Sequence, residues 1–363
     1  MRILIAPCSF KESLTATVAA RILAHVARAR GHDVDVVPIA DGGEGTLDAL
    51  RRPFALSMRS MRVPGALSAP MFARFGIGPD GAVIEAAEAV GLACIPKERR
   101  DPLRATTVGV GALVVRALDL GAPHVFVALG GSATVDGGAG LLHALGVRFF
   151  DARGRVLAPV PRALVRLARV DRSGLDPRVA RTAITALVDV QAPLLGAHGA
   201  RMFMTQKGAR ARDLPVLEGV LARMFDRETA QAPGAGAAGG LGAALISLGA
   251  SVTPGIEVVL DANDVEERAA RADLVLTGEG RLDEQTLAGK AIAALARVCR
   301  RTRTPLVALC GRVDLSPAGL ARAGVIGLPI VPGPCSVDDA VANARANLAR
   351  AAHAALALVE VGR

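Results

Sequence analysis

Residues 1–46 read MRILIAPCSFKESLTATVAARILAHVARARGHDVDVVPIADGGEGT, and this stretch predicts the fold class of the chain. Residues 3–6 are a short apolar run, typical of a parallel strand that is covered on both faces. After a polar loop, residues 18–26 carry an apolar helical stripe that ends before Gly31. Residues 34–40 form a second apolar run, which leads into a loop rich in glycine and charge. This alternation predicts a parallel α/β sheet, and ligands of such sheets bind at the carboxyl ends of the strands.

The same order of strand, loop and helix returns near the other end of the chain, where residues 338–359 are predicted to form a long closing helix. A length of 363 residues favours two domains. Residues 1–58 and 268–363 share the strand–loop–helix pattern, so we predict that they form one discontinuous α/β domain. Residues 59–267 mix short strands with helices, which predicts an inserted α/β domain. We expect the active site in the cleft between the two domains.

The net charge of +9 would suit a nucleic-acid-binding protein, but the distribution of residues does not. The arginines are scattered, and without Trp or Tyr only nine Phe could stack on bases. Five cysteines without a C-x-x-C spacing predict neither a disulfide framework nor a zinc site. The apolar run after Met1-Arg2 is too short for a signal peptide. We therefore expect a cytoplasmic protein with a small-molecule substrate and with no nucleic-acid or membrane partner.

Lysine is rare in this chain. Of 43 basic residues only four are lysine, and such a bias towards Arg keeps Lys where a compact, mobile ammonium is needed. Lys207 lies in the polar segment 205–209, and Asp189 directly follows the apolar run 184–188. Both are candidate site residues, although either could equally be a helix cap or a solvated charge. The four lysines are Lys11, Lys97, Lys207 and Lys290.

The sequence GGSATVDGGAG at residues 130–140, here called the glycine-rich segment, is the strongest local signal of a site. Glycines let the backbone approach an anion, and the amides of a following helix N-terminus point towards it. The alternative is a tight strand–helix turn with a hydroxyl cap, but five glycines in eleven residues exceed what a cap requires. We therefore predict that this segment binds an anion through Gly130, Gly131, Ser132, Ala133, Thr134 and Asp136.

The sequence GAGAAG at residues 234–239 has the glycine spacing of a dinucleotide-binding loop. That loop requires a strand directly before it, whereas residues 226–233 are charged and polar. We predict a glycine-rich helix start here instead, with Gly236 and Gly239 near the nucleotide. The sequence contains neither a Walker A motif nor the motifs of protein kinases, so an ATP site must be of another kind.

The sequence GEGRLD at residues 278–283 is predicted to be a charged loop after a strand, with Lys290 seven residues further on. Phosphoryl transfer needs such a mixture, because cations offset the charge of the transferring group while carboxylates hold Mg²⁺ or take a proton. The alternative is a surface loop of ion pairs. Lys11, Asp41 and Glu44 would line the same edge of the sheet, which favours the functional interpretation.

Taken in order, these segments resemble the type I glycerate kinase family. Jointly they are highly specific, although each alone is modest. The resemblance is carried by IAP (5–7), SFKES (9–13), ADGGEGT (40–46), LGGSAT (129–134), DGGAG (136–140), QKGA (206–209), GAAGGLG (236–242), PGIE (254–257), TGEGR (277–281), Asp283, QTL (285–287) and GK (289–290).

The resemblance implies a flavodoxin-like parallel-sheet domain interrupted by a second mixed α/β domain. It also implies an enzyme that transfers the γ-phosphoryl group of MgATP to glycerate. It leaves open which hydroxyl is phosphorylated and which loop binds ATP, and a homodimer is a possible assembly. The expected catalytic residues are Asp189, Asp283, Lys11, Arg281 and Lys290, of which Asp189 and Asp283 are also the expected Mg²⁺ ligands. The expected nucleotide-binding residues are those of the glycine-rich segment with Gly236 and Gly239, and the expected substrate-binding residues are Asp41, Glu44, Lys207 and Glu279.

The chain departs from the family pattern at four positions. Cys8 stands where the family has Asp, Val135 and Ala192 where it has Asn, and Thr205 where it has Pro. If the missing carboxylate served as base or metal ligand, the rate would fall by roughly 10²–10⁴. Two alternatives therefore stay open: a kinase of a related small hydroxy acid, and a homologue that binds nucleotide or metabolite with impaired catalysis.

Overall fold

The computed structural model describes residues 1–10, 13–284 and 291–361. The chain divides into two compact units: Met1–Asp41 together with Ile256–Arg363 form the first unit, and Gly42–Gly255 form the second unit. The domain boundaries expected from the sequence, at residues 58/59 and 267/268, stay a prediction. None of the helices in the described ranges combines the length and apolar character of a membrane span.

The strands are numbered in chain order through the described residues. They are β1 (Arg2–Ile5), β2 (Asp33–Val36), β3 (Ser57–Pro64), β4 (Pro70–Gly78), β5 (Gly81–Glu85), β6 (His124–Ala128), β7 (Arg148–Asp151), β8 (Val156–Leu157), β9 (Leu167–Asp171), β10 (Ala183–Val188), β11 (Ser251–Pro254), β12 (Leu274–Leu282), β13 (Leu306–Val313) and β14 (Ile326–Pro329).

The helices are numbered in the same way. They are α1 (Ala16–Ala29), α2 (Thr46–Leu50), α3 (Ala86–Val90), α4 (Val108–Asp119), α5 (Ala139–Ala144), α6 (Pro161–Leu164), α7 (Leu214–Met224), α8 (Arg227–Gln231), α9 (Leu241–Ile246), α10 (Gly255–Ala262), α11 (Val265–Ala270), α12 (Ala291–Thr302), α13 (Pro317–Ala323), α14 (Val337–Ala342) and α15 (Ala344–Val361). Short 3₁₀ helices lie at Leu92–Cys94, Lys97–Arg99, Pro177–Arg181, Ala200–Phe203, Thr205–Lys207, Ala211–Asp213 and Ala237–Gly239.

The first unit is built on a parallel sheet in the order β14-β13-β12-β1-β2. Counted within this unit alone, the strand order is 2-1-3-4-5, which is the flavodoxin-like order. Strand β1 is apolar because both of its faces are covered, and Ile3 and Ile5 pack with Leu23 of α1 and Leu348 of α15. Helix α1 begins where Thr15 accepts a hydrogen bond from the amide of Val18. The predicted parallel α/β fold is confirmed in this unit.

The second unit contains a six-stranded sheet in the order β11-β10-β6-β5-β4-β3 and a three-stranded sheet in the order β8-β7-β9. The first four strands of the larger sheet are parallel, and β4 and β3 extend it as an antiparallel hairpin. Glu85 of β5 lies beside Ala128 of β6, which in turn lies beside Leu187 of β10. The segments after these three strands therefore leave the sheet at one edge.

Two elements differ from the sequence prediction. Residues 278–282, predicted as a loop, continue strand β12 and pair with β13. The close pairing depends on Gly278, since a Cβ there would lie 2.3 Å from the carbonyl oxygen of Leu309. The long helix predicted over residues 338–359 is two helices, α14 and α15, which are separated at Asn343. The first difference arises from pairing with β13, which the local pattern does not specify.

Candidate active site

Asp136 organises the glycine-rich segment from within the protein. Its side chain is fully buried, and its Oδ2 accepts hydrogen bonds from the amide (2.7 Å) and hydroxyl (2.9 Å) of Thr107 and from the amide of Gly140 (3.0 Å). Its Oδ1 accepts from the amide of Gly138 at 3.1 Å. Burial raises the pKa of Asp136, and these hydrogen bonds act in the opposite direction. Asp136 thus joins the starts of α4 and α5, and its contact with a nucleotide stays a prediction.

Two consecutive glycines of the segment adopt a backbone conformation that other residues rarely take. Gly137 has φ +63° and Gly138 has φ +70°. Glycine reaches this region without steric cost, which lets the chain turn tightly from Asp136 into α5. The cluster of glycines that the sequence displays is therefore needed in part for the shape of the segment itself.

Lys207 reaches the glycine-rich segment from a distant part of the chain. Its side chain is 4% exposed, and its Nζ donates hydrogen bonds to Ser132 Oγ at 2.9 Å and to the carbonyl oxygen of Thr134 at 3.0 Å. Burial lowers the pKa of Lys207 to about 8, although Asp136 and Asp189 favour its charged form. A buried lysine with a perturbed pKa beside a glycine-rich backbone is a typical functional-site arrangement.

A free hydroxyl lies in the same group. Thr134 Oγ1 is buried and has no hydrogen-bond partner among the residues that the structure describes. Buried hydroxyls normally find a partner, so an orphaned one indicates a missing ligand or water. The Lys207 ammonium has three N–H donors and uses two of them on Ser132 and Thr134. The group can therefore offer a positive charge, a hydrogen-bond donor and a hydroxyl to an anion.

Residues 42–46, here called the Glu44 loop, touch the glycine-rich segment through backbone atoms. The amide of Gly130 donates to the carbonyl oxygen of Gly42 at 3.0 Å. A Cβ on Gly130 would lie 2.4 Å from the Cα of Gly43, so only glycine permits this approach. Glu44 itself is exposed. Two motifs that the sequence shows as separate are thus adjacent in the second unit.

Gly236 and Gly239 pack against neighbouring backbone. A Cβ on Gly239 would lie 2.1 Å from the carbonyl oxygen of Thr134, and one on Gly236 would lie 2.2 Å from that of Pro193. The element before them is the helix α8, so the strand required by a dinucleotide-binding loop is absent from this described part of the chain, as the sequence predicted. Gly239 packs against the glycine-rich segment and Gly236 packs against Pro193, and the contact of either with a nucleotide stays a prediction.

Asp189 and Val135 lie close to this group but differ in character. Asp189 directly follows β10, is half-buried, and is near enough to Lys207 to favour its ammonium. Val135 is fully buried in an apolar cluster with Leu194, Leu217 and other side chains. Val135 is therefore part of the apolar core of the unit.

In the first unit, Cys8 has two carboxylates as neighbours. Burial raises the pKa of the Cys8 thiol well above its ordinary value, and Glu279, Asp41 and Cys310 add to the effect. The thiol is therefore neutral at physiological pH, and it is not a nucleophile of the thiolate kind. The resemblance implies Asp at this position in the family, and a thiol there would leave one carboxylate fewer beside Asp41 and Glu279.

Arg281 and Asp283 belong to a group of exposed ion pairs. Arg281 Nε lies 3.3 Å from Asp283 Oδ2 and 2.6 Å from Asp314 Oδ2, and the Arg281 side chain is 59% exposed. This placement matches the alternative of a surface ion-pair group, and the catalytic roles of both residues stay a prediction. Lys11 and Lys290, the other two predicted cations, lie outside the described residues.

Glu85 was missed by the sequence reasoning. Its side chain is 3% exposed, and its carboxylate accepts hydrogen bonds from the amides of Gly45 (3.2 and 3.1 Å) and Leu47 (3.1 Å). Burial raises the pKa of Glu85 to about 7, with Glu88 and Glu44 adding to the effect. A charged residue inside the apolar run 82–90 was the available signal, since a buried carboxylate needs a specific partner.

No group of three or more His, Cys, Asp or Glu side chains is arranged to hold a metal ion within residues 1–10, 13–284 and 291–361. This is compatible with a nucleotide-borne Mg²⁺, because that ion is commonly held by one or two carboxylates together with substrate phosphates. A half-buried carboxylate such as Asp189 offers ligands of the right chemistry.

Comparisons with known proteins agree with this geometry. The chain matches the model of the "Glycerate kinase family" over residues 3–360. The chain belongs to the glycerate kinase family. It is 40% identical to the glycerate kinase of Bacillus subtilis (strain 168), with 100% of this chain and 99% of that protein aligned. It is 38% identical to the glycerate 2-kinase of Escherichia coli (strain K12), again over 100% of this chain and 99% of that protein.

A solved crystal structure confirms the fold class. The chain superposes on a protein named glycerate kinase 2 from Salmonella typhimurium LT2 with a TM-score of 0.80 and 38% sequence identity. The superposition covers 100% of this chain and 99% of that one. The resemblance stated from the motifs and the predicted α/β fold are both confirmed.

Proposed function

We propose that this chain transfers the γ-phosphoryl group of ATP to a hydroxyl group of glycerate, giving phosphoglycerate and ADP. One observation of geometry carries the proposal: the buried Lys207 ammonium donates to Ser132 Oγ and to the Thr134 carbonyl oxygen in the glycine-rich segment, where the Thr134 hydroxyl has no partner among the described residues. Membership of the glycerate kinase family over residues 3–360 supplies the acceptor. Both substrates are anionic, so a buried cation with hydroxyl groups suits either a phosphate or the acid's carboxylate.

The reaction requires few covalent steps. The acceptor oxygen forms a bond to the γ-phosphorus while the bond from that phosphorus to the β–γ bridging oxygen breaks, and the electron pair leaves with ADP. The hydroxyl proton passes to a carboxylate, for which Asp189 and Asp283 are our candidates. Lys207 is proposed to bind the anion that Ser132 and Thr134 face. Arg281, with Lys11 and Lys290, is proposed to offset the charge of the transferring group.

We propose that the nucleotide is used as its Mg²⁺ complex. Asp189 is half-buried and close to Lys207, so its carboxylate can take part in holding the ion beside an anion. Asp283 is the second candidate. When bound, Mg²⁺ offsets the negative charge of the phosphates. We further propose a cytoplasmic location, in keeping with five cysteines that are all free thiols. A homodimer stays a prediction.

Cys8 favours keeping a second candidate function. The neutral thiol replaces a carboxylate beside Asp41 and Glu279, which would change the site that receives a metal or a polar substrate. The chain would then phosphorylate a related small hydroxy acid, or bind its ligands with impaired catalysis. The core position of Val135 gives no support to either alternative, because its side chain packs among apolar neighbours.

Release of ADP from MgATP, followed with and without D-glycerate, tests the proposal. We expect turnover that depends on glycerate and that exceeds turnover with other small hydroxy acids. Preference for another acid would favour the related-kinase alternative. Calorimetric binding of ATP or glycerate without turnover would favour the impaired homologue. Equal ADP release with and without every acid, together with no measurable binding, would reject all three functions.

A further inference from the structure

Glu85 ends strand β5 and faces the start of helix α2. Its two carboxylate oxygens accept from the amide of Gly45 at 3.2 and 3.1 Å, and one of them also accepts from the amide of Leu47 at 3.1 Å. Gly45 has φ +95° and its helix has no side-chain cap of its own, so Glu85 supplies the missing acceptor from another strand. Glu85 and Gly45 are separated by 40 positions in the sequence.

The Glu44 loop, which Glu85 holds at one end, is held against the glycine-rich segment at the other. Gly42 accepts a hydrogen bond from Gly130, and a Cβ on Gly130 would collide with Gly43. A shift of the loop would therefore displace Gly130. It would also displace Ser132 and Thr134, which follow Gly130 in the chain and bind Lys207. This chain of contacts connects Glu85 to the proposed anion site without any contact between Glu85 and the ligand.

We propose that Glu85 is a positioning residue for phosphoryl transfer, whose carboxylate fixes the Glu44 loop against the glycine-rich segment. This inference rests on the proposed kinase function. Small displacements of catalytic groups lower turnover more than they lower binding, since the reacting atoms must be aligned within a narrow range. Glu85 is thus expected to affect kcat more strongly than KM.

The ionised form of Glu85 holds the loop more strongly than the protonated form. A protonated carboxyl group can still accept from both amides through Oε2, but it loses the second bond from Gly45 to Oε1 and the strength that a negative charge gives to the others. Burial raises the pKa of Glu85 to about 7, and Glu88 and Glu44 act in the same direction. Arg74 is a cation near Glu85, and it is paired with Glu88 and with Asp48. Activity is therefore expected to fall as the pH drops through about 7.

Stability is expected to change in the opposite direction over the same range. A carboxyl group whose pKa is raised on folding favours the folded state below its unfolded value, about 4.5, and this contribution is lost as the pH rises through about 7. A residue with a purely structural role would make activity and stability fall together. Opposite trends with pH are therefore a signature of the positioning role.

The test compares Glu85→Gln, Glu85→Asp and the control Glu88→Gln with the wild-type protein. Gln resembles the protonated acid, so Glu85→Gln is expected to lower kcat by about 10- to 100-fold above the pKa, to leave KM nearly unchanged, and to remove the acidic limb of the pH profile. Glu85→Asp keeps the charge but is one methylene shorter, so it should lower kcat while retaining the limb. Glu88→Gln should retain wild-type kcat and move the limb to lower pH, because Glu88 raises the pKa of Glu85.

Each result has a defined meaning. A Glu85→Gln protein with wild-type kcat and an unchanged acidic limb overturns the inference, while the kinase function stands. If Glu85→Gln does not fold, the Asp variant decides: wild-type kcat in Glu85→Asp overturns the inference. Absence of glycerate-dependent turnover in the wild-type protein rejects the kinase function and this inference with it.

Discussion

Three charged side chains of the second unit and one arginine of the first unit lie in opposite environments. In the second unit, Asp136, Glu85 and Lys207 are each less than 5% exposed, and each has hydrogen-bond partners within the protein. In the first unit, Arg281 is 59% exposed and pairs with Asp283 and Asp314 on the surface. Buried charges persist only where partners stabilise them, whereas exposed ion pairs contribute little. Burying these three charged groups of the second unit costs free energy, and a role in binding or catalysis would explain why they are buried.

The largest expected effect is that of Lys207→Met. Removal of the ammonium takes away the buried positive charge next to Ser132 and Thr134, and we expect kcat/KM to fall by about 100- to 1000-fold. The exposed Lys97 provides the control, and Lys97→Met should retain wild-type rates. Glycerate-dependent ADP release and a circular dichroism melt would be recorded for both variants. A folded Lys207→Met protein with wild-type turnover would show that the buried charge of Lys207 is not needed for activity. The contrast between the two units would then have no functional meaning.

The next effect concerns stability. Asp136→Asn replaces an acceptor of four hydrogen bonds by a group with one oxygen and one amide, which would face the donors of Thr107 or Gly138. We expect the free energy of unfolding to fall by about 2–4 kcal/mol in denaturant titration. Asp226→Asn, at the exposed N-terminus of α8, should lower the free energy of unfolding much less, because Asn is also a good N-cap residue. Equal losses of unfolding free energy at the two sites would mean that the buried hydrogen bonds of Asp136 stabilise the protein no more than an exposed helix cap does.

A smaller and ion-dependent effect is expected at Cys8. Cys8→Asp places a third carboxylate beside Asp41 and Glu279, and without a cation it should destabilise the protein by roughly 1–3 kcal/mol. Mg²⁺ should restore stability and raise turnover if these carboxylates hold the ion. The neutral variant Cys8→Asn is the control, and Mg²⁺ should not change its stability. If both variants change the melting temperature equally, and Mg²⁺ has no effect on either, then Asp41 and Glu279 do not hold the ion.

The smallest effect on stability is expected for Arg281→Gln. The exposed ion pairs of Arg281 should contribute at most about 1 kcal/mol to the free energy of unfolding. If Arg281 offsets phosphoryl charge, kcat should nevertheless fall by about tenfold. Asp314→Asn breaks the same ion pair without removing the cation, and it should leave kcat unchanged. Wild-type kcat in Arg281→Gln would mean that Arg281 forms surface ion pairs and has no role in phosphoryl transfer.

The sequence predicts local features well in this protein. The apolar runs of β1 and β6 and the periodicity of α1 depend on neighbouring residues, and all three elements form. The glycine-rich segment could also be recognised, because its glycines stand together in the sequence. Glycine clusters and apolar periodicity are properties of short stretches, so they need no knowledge of the rest of the fold.

Features that depend on distant partners were not predictable. Lys207 was singled out only as a rare lysine, because its contact with Ser132 spans 75 residues. The sequence did not indicate that the Asp136 carboxylate accepts hydrogen bonds from Thr107, 29 residues earlier. The expected loop at residues 278–282 is strand because β13 pairs with it. In each case the deciding partner is brought by tertiary structure, which single-sequence patterns do not contain.

Titration of Lys207 tests the central claim most directly. The chain has only four lysines, so protein labelled with ¹³C at lysine Cε gives few signals, and Lys207→Met identifies the one of interest. The account predicts that this signal titrates with a pKa of about 8 in the free protein. ATP or glycerate should raise that pKa, because an anion beside the ammonium stabilises its charged form. A Lys207 pKa near 10.5, or one that neither ligand changes, would contradict the account.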